Sequence, residues 1–349
     1  MKKVESPKDP QITTLESLYK HLQLAIEVEH FTIPPYLCAL YSIKDDGRNR
    51  VAAELIQSVV MEEMLHMTLA SNILLAVGGR PDLHHSNFIP TYPEHMPHSD
   101  KKFTVSLEKF SKSAIKTFMK IEKPETSKAK PEAHNYHTIA QFYDAVLEGL
   151  EYLCRTLGPD KVFTGKKHHQ ITNKYYYGGG GRVIPVIDLK SAMHAVEEIK
   201  EQGEGHIAGK SIYDGDHKYG QPREVAHYYR FNEILEGQSY APGDKPKKKP
   251  SGETFKVHWN SVYRMRKNPK AGDYDPGSPI REKMDEFNRS YTKLLALLDH
   301  SFSGHPSVLL QAVQLMYSLK YKAVALMKIP SGKGNTTVGP SFEFLPEST

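Results

Sequence analysis

At 349 residues, with 39% hydrophobic and 25% charged side chains, the chain has material for a sizeable core and the composition of a soluble globular protein. Part of its formal charge of +5 sits in one lysine-rich stretch near position 247, with no basic helix interleaved with aromatics, so nucleic acid is not an expected partner. Cys38 and Cys154 allow at most one disulfide and form no CxxC pair, the N-terminus lacks an apolar h-region, and no apolar run approaches a membrane span; a reducing, cytoplasmic compartment and no membrane are the expectation.

The first predicted helix runs from about Thr14 to Ser42. Leu22, Ala25, Ile26, Glu29 and Ile33 share one face, so Glu29 falls at the centre of an apolar stripe while Glu27 points away. Pro34 and Pro35 remove two N–H donors and crowd the preceding turn, which predicts a kink beside Glu29 or a new helix starting at Pro35. A turn at Asp45-Asp46-Gly47 leads into a second helix, Arg50 to Val77, stopped by Gly78-Gly79 and Pro81.

This second helix carries Glu62-Glu63-Met64-Leu65-His66. At 3.6 residues per turn, Glu63 and His66 project from one face, and Leu55, Val59, Ala70 and Ile73 mark that face as the buried one. A carboxylate buried without a partner costs several kcal/mol or changes its protonation. The pair must therefore find a counter-charge or a metal ion.

From Arg80 to about Lys102 the chain turns to Pro, His, Tyr and Ser without periodicity and reads as a long loop, its His84, His85, His95 and His98 as solvated side chains. A short helix near Leu107 to Ile121 and a longer one from Ile139 to Leu157 follow, the latter with Glu148 facing away from its stripe. Gly178 to Gly181 lacks the strand and spacing of a nucleotide loop and reads as a flexible or ligand-approaching turn. A further helix spans about Leu189 to Glu204. Pro222 then sits where a first helical turn would begin, followed by Glu224-Val225-Ala226-His227, a second Glu-x-x-His whose face continues through Phe231, Ile234 and Leu235. A glutamate in an opening turn also has a capping explanation.

Two inward Glu-x-x-His pairs, with inward glutamates on two other helices, form the pattern of a dinuclear carboxylate site in an all-α four-helix bundle. The expected ligands are Glu29, Glu63, His66, Glu224 and His227, with Glu204 the sixth; Glu201, and more remotely Glu148 and Glu151, are its substitutes. Oxygen donors with a few imidazoles suit two iron ions per chain, with manganese the alternative. Tyr36 and Tyr143 are candidates to line a pocket, although core packing explains a tyrosine equally well.

Four stretches now carry a resemblance: Glu29-His30-Phe31-Thr32-Ile33-Pro34-Pro35-Tyr36-Leu37, Glu63-Met64-Leu65-His66-Met67, Glu201-Gln202-Gly203-Glu204-Gly205 and His227-Tyr228-Tyr229-Arg230-Phe231. Together they resemble the ferritin-like domain of iminophenyl-pyruvate dimer synthases, proteins of the violacein and rebeccamycin pathways that couple two tryptophan-derived imines oxidatively. Phe287-Asn288, Tyr291-Thr292, Leu294-Leu295 and Gly339-Pro340-Ser341-Phe342-Glu343 extend the likeness to roughly residues 12 to 345, although the pathway enzymes are much longer. The resemblance implies a ferritin-like bundle with a metal site and a role in secondary metabolism.

On this reading residues 12–240 form the bundle. Residues 241–349 begin as an exposed Pro- and Lys-rich connection and continue as two amphipathic helices, which must pack on the bundle or across a homodimer. The expected function is that of a non-haem di-metal oxidative enzyme using dioxygen on a small organic substrate. A scaffold or binding protein with a metal-free network of buried ion pairs is the alternative. Iron storage fits less well, because the chain is about twice the length a cage subunit needs.

Overall fold

A computed structural model describes residues 11–97, 103–124, 139–176, 180–205, 211–214 and 224–346. Among them the regular structure is helical, with only isolated β-bridges. The long helices are α1 (Leu15–Ser42) and α2 (Arg50–Ala76); α3 (Lys112–Ile121), α4 (Ile139–Leu157), the single turn α5 (Pro159–Val162), α6 (Leu189–Glu204) and α7 (His227–Glu236) follow. Near the C-terminus come α8 (Pro279–Phe302) and α9 (Leu309–Met327).

Local chemistry sets most of these boundaries. The Thr14 hydroxyl accepts from Ser17 N at 3.1 Å to cap α1, and Asp188 and Ser191 close a capping box on α6. Gly237, at φ +69°, ends α7 in the left-handed conformation that costs a glycine least. The helix predicted from Pro222 instead begins at His227. Residues 224–226 are extended there and pair with 212–214, through Asp214 N to Glu224 O at 3.0 Å and Ala226 N to Ile212 O at 2.9 Å.

Pro34 and Pro35 do not break α1, which continues through both. Pro35 has no N–H for the Phe31 carbonyl, and Tyr92 from the following loop supplies the hydrogen bond instead, its hydroxyl donating at 2.6 Å. Pro35 is accommodated because that acceptor is satisfied from outside the helix.

Helices α1, α2, α6 and α4 contact one another in that order around a closed ring, the four-helix core. The α3 and α7 helices pair with each other, and α7 also packs on α2 and α6 of the ring. Although α2 is long and apolar enough to cross a membrane, with mean hydropathy 1.2 over 18 residues, 89% of that window is buried inside the protein. One continuous core joins the ring to α8 and α9. Tyr291 of α8 reaches the His30 ring of α1. Asn288 and Thr292, also on α8, receive the tail: Glu343 N donates to Asn288 Oδ1 at 3.1 Å and Leu345 N to Thr292 Oγ1 at 2.8 Å.

The connection at 241–251 keeps Lys245, Lys247, Lys248 and Lys249 exposed, organised around the Asp244 carboxylate, which accepts from Ala241 N and Ser251 N at 2.9 Å each. Cys38 and Cys154 are both free thiols. His98, Gly178 and Pro222 lie outside the described residues.

Candidate metal centre

The apolar stripes of α1 and α2 face each other, and their charged members meet in the interior. Glu29, Glu63 and His66 are all at most 3% exposed, which rules out solvation as their source of stability. His66 Nδ1 lies 3.4 Å from Glu29 Oε2. His227, the first residue of α7 and fully buried, brings Nδ1 to 3.0 Å from Glu63 Oε1. The same nitrogen is 3.4 Å from Oε2 of Glu122, the residue that ends α3. Two overlapping groups result: Glu29, Glu63 and His66 in one, Glu63, Glu122 and His227 in the other, each with ligand atoms within 4.8 Å of one another. Glu63 belongs to both.

Of the residues expected from sequence, Glu29, Glu63, His66 and His227 are thus brought together. Glu224 is not: the extended backbone before α7 breaks the three-residue helical spacing, and its carboxylate lies 3.3 Å from Arg230 Nη2 with the side chain 40% exposed. Glu201 is half-buried on α6, Glu148 and Glu151 are exposed, and the Glu204 side chain lies outside the described residues. Glu122 takes part instead. Its signal was present in the sequence, since it continues the Ile115 and Phe118 stripe at spacings of seven and four, but it falls beyond the helix end where periodicity stops being read.

A further layer fixes these groups. Tyr143 donates to Glu29 Oε1 at 2.6 Å, and Tyr36 donates to Glu122 Oε1. Burial, with the neighbouring carboxylates, pushes both phenols well above the ordinary tyrosine range, so they remain donors. The Thr32 hydroxyl lies 2.8 Å from Glu63 Oε2 and equally from the Glu29 carbonyl.

The two imidazoles are held differently. Gln202 Nε2 donates to the Gly180 carbonyl at 2.8 Å, which turns its oxygen toward His66 Nε2 at 2.9 Å; that nitrogen therefore carries the hydrogen. His227 Nε2 faces Glu62 Oε2 at 3.0 Å. Because a carboxylate only accepts, this nitrogen also carries a hydrogen, and both Nδ1 atoms are left for the centre.

Glu62 is itself clamped. Arg230, 2% exposed, uses all five of its N–H directions: Nε to Val225 O at 2.6 Å, Nη1 to Ser58 Oγ and Glu62 Oε1 at 3.0 Å each, Nη2 to Asp214 Oδ2 at 3.0 Å and Glu224 Oε2 at 3.3 Å. Burial alone would raise the Glu62 carboxyl, but the guanidinium and the hydrogen bonds from His227 and Arg230 hold it at about 2. Glu63 has no such cation. Burial and then the Glu122 carboxylate push it up to about 7, against the pull of His227. Burial works against charge on His227 as well, but the carboxylates of Glu122, Glu62 and Glu63 around it raise it well above the ordinary imidazole range.

Of the turn read from sequence as flexible or ligand-approaching, Gly180 and Gly181 are described, and both are packed closely against their neighbours. A Cβ at Gly180 would meet the Glu62 side chain at 2.8 Å; one at Gly181, where φ is +120°, would meet Gln202 Nε2 at 2.3 Å and Leu65 at 2.8 Å. The glycines let this strand of chain lie against the groups that back both histidines.

The donor set fits metal ions. His227 Nδ1 is a buried nitrogen without an aligned hydrogen-bond partner although carboxylate oxygens stand at 3.0 and 3.4 Å, and three carboxylates converge on this space. A small cavity of about 20 Å³ reaches them, walled by Ile121, Ile139, Ala140, Ile199 and Gly203, with Lys123 and Lys200 among its lining. Lys200 is engaged by Asp144.

Comparisons with known proteins agree with this architecture. The family model described as ferritin-like matches residues 22–236. The chain is similar to dichlorochromopyrrolate synthase from Lentzea aerocolonigenes, 26% identical over 82% of this chain. It is also similar to 2-imino-3-(indol-3-yl)propanoate dimerase from Chromobacterium violaceum, 24% identical over 95% of this chain. It spans 29% and 34% of the lengths of those two relatives. A crystal structure of a ferritin-like protein from Caulobacter vibrioides superimposes with a TM-score of 0.64 at 25% identity, covering 97% of this chain and all of the other.

Proposed function

Because the chain belongs to the ferritin-like family, and because its bundle brings two overlapping ligand groups onto one shared glutamate, we propose that it is a non-haem di-metal oxidative enzyme. The observation that carries this reading is the pair of buried histidines, each with one ring nitrogen committed to a fixed partner and the other turned toward converging carboxylates.

In this reading Glu29, Glu63 and His66 would hold one metal ion and Glu63, Glu122 and His227 the other, Glu63 being common to both groups. Two irons bound there would supply the reduction of dioxygen and the oxidising capacity for a small organic substrate, and manganese is the alternative metal. The protein's own part is positional. Tyr143 and Tyr36 orient the outer carboxylates, Thr32 orients the shared one, and the isoleucine-lined wall limits water at the centre. Lys123 at the cavity gives an anionic substrate a counter-charge. A relative named as a dimerase of an indolyl imino acid supports a substrate of that kind, an amino-acid-derived imine coupled with dioxygen as electron acceptor in secondary metabolism.

Anaerobic loading with ferrous ion, followed by exposure to air, tests the proposal. About two irons per chain with dioxygen uptake would support it. Less than one iron per chain, unchanged in Glu63→Ala and His66→Ala, would favour a metal-free scaffold.

A further inference from the structure

The two histidines of the centre are not backed alike. Behind His66 stands a neutral amide, Gln202, whose orientation is fixed by the Gly180 carbonyl. Behind His227 stands a carboxylate, Glu62, buried to 1% exposure and fixed on its other oxygen by Arg230. An anionic acceptor draws the Nε2 hydrogen more strongly than an amide oxygen does, and so places more electron density on the opposite ring nitrogen. The surroundings add to this difference. Arg230 contributes one positive charge behind His227, but Glu62, Asp214 and Glu224 surround it with three carboxylates, leaving that side of the site the more negative.

We propose that the two halves bind divalent cations unequally, the Glu63–Glu122–His227 half filling first and the Glu29–Glu63–His66 half second, with Glu62 and Gln202 as the positioning residues that set the order. This rests on the reading of the cluster as a metal centre. The consequence is a one-ion form of the protein at low metal supply, with the vacant half beside α1.

The test is an anaerobic titration of the metal-free full chain with Co²⁺, followed by calorimetry and visible absorption. The expected isotherm has two steps separated by about 10- to 100-fold in affinity, the range over which such backing groups act. His227→Ala should abolish the tight step and leave the weak one, and His66→Ala should do the reverse. Glu62→Gln should weaken the tight step toward the weak one while total uptake stays at two. Should that variant fail to fold, the two histidine variants still decide the order. Two indistinguishable steps in the unaltered protein, or a tight step that survives His227→Ala and is lost in His66→Ala, would overturn the inference while leaving the metal reading intact. No Co²⁺ uptake at all would overturn the metal reading, and the inference with it.

Discussion

Tyr92 gives its phenolic hydrogen to the Phe31 carbonyl, the acceptor that Pro35 leaves without an N–H donor. The contact joins the loop after α2 to the helix that carries Glu29. Tyr92→Phe would keep the packing of a ring that is 1% exposed but orphan a buried carbonyl. We expect a loss of about 1–3 kcal/mol in unfolding free energy, measured by urea denaturation. No change would mean that α1 satisfies that carbonyl by another route.

Ligand assignment can be separated at the two glutamates where sequence spacing and geometry diverge. Glu122→Ala should reduce bound iron from about two per chain to about one or fewer, because it removes an oxygen facing His227 Nδ1. Glu224→Ala should leave the iron content near two, since that carboxylate is spent on Arg230. Elemental analysis of both variants checks the assignment, and the opposite pattern would restore the second Glu-x-x-His.

Arg230→Leu leaves Glu62 and Asp214 as buried carboxylates without their cation. The expected cost is about 3–5 kcal/mol in unfolding free energy. Lysine should rescue little of this, because one ammonium cannot reproduce a planar fork with five engaged directions. Equal stability of Arg230→Lys and the unaltered protein would show that charge alone suffices there.

Glu233 gives a pH-dependent test away from the ligands. Burial pushes its carboxyl from the ordinary value of 4.5 up to about 7, against the Tyr240 N–H it accepts at 2.7 Å and the nearby Arg230. Below pH 4.5 the group is protonated in both folded and unfolded chains and carries no penalty. Between 4.5 and 7 the unfolded chain releases its proton first, so the group's contribution to stability falls as pH rises, and it levels off above 7. Glu233→Gln keeps an acceptor for Tyr240 and removes the charge. Its stability relative to the unaltered protein should rise across that window by about 3 kcal/mol, read from denaturation midpoints at pH 4.5 and 8. A difference independent of pH would count against the raised carboxyl.

The parts legible in the sequence were those governed by helical periodicity. Glu29, Glu63 and His66 each interrupt an apolar stripe on a long helix, so their convergence followed from burying those stripes. Periodicity was the wrong guide at Glu224, because the backbone there is extended and paired with 212–214. It stopped one residue short at Glu122, which ends α3. The groups behind the histidines were beyond local reading altogether. Gln202 is one polar residue on α6, and its importance comes from Gly180, twenty-two positions earlier, and from His66 on another helix. What Gly180 and Gly181 achieve depends on the side chains that a Cβ would strike, a tertiary fact without local signature.

The phenol contacts also fix which oxygen of each outer carboxylate turns inward. Tyr143 holds Oε1 of Glu29 and Tyr36 holds Oε1 of Glu122, so in each outer carboxylate it is Oε2 that faces the histidine. In the proposed centre each half would offer an ion one such oxygen, one from Glu63 and one imidazole nitrogen, fewer donors than iron or manganese takes. Small molecules entering through the cavity would supply the remaining donors, with Glu29, Glu63, Glu122 and both histidines staying in place.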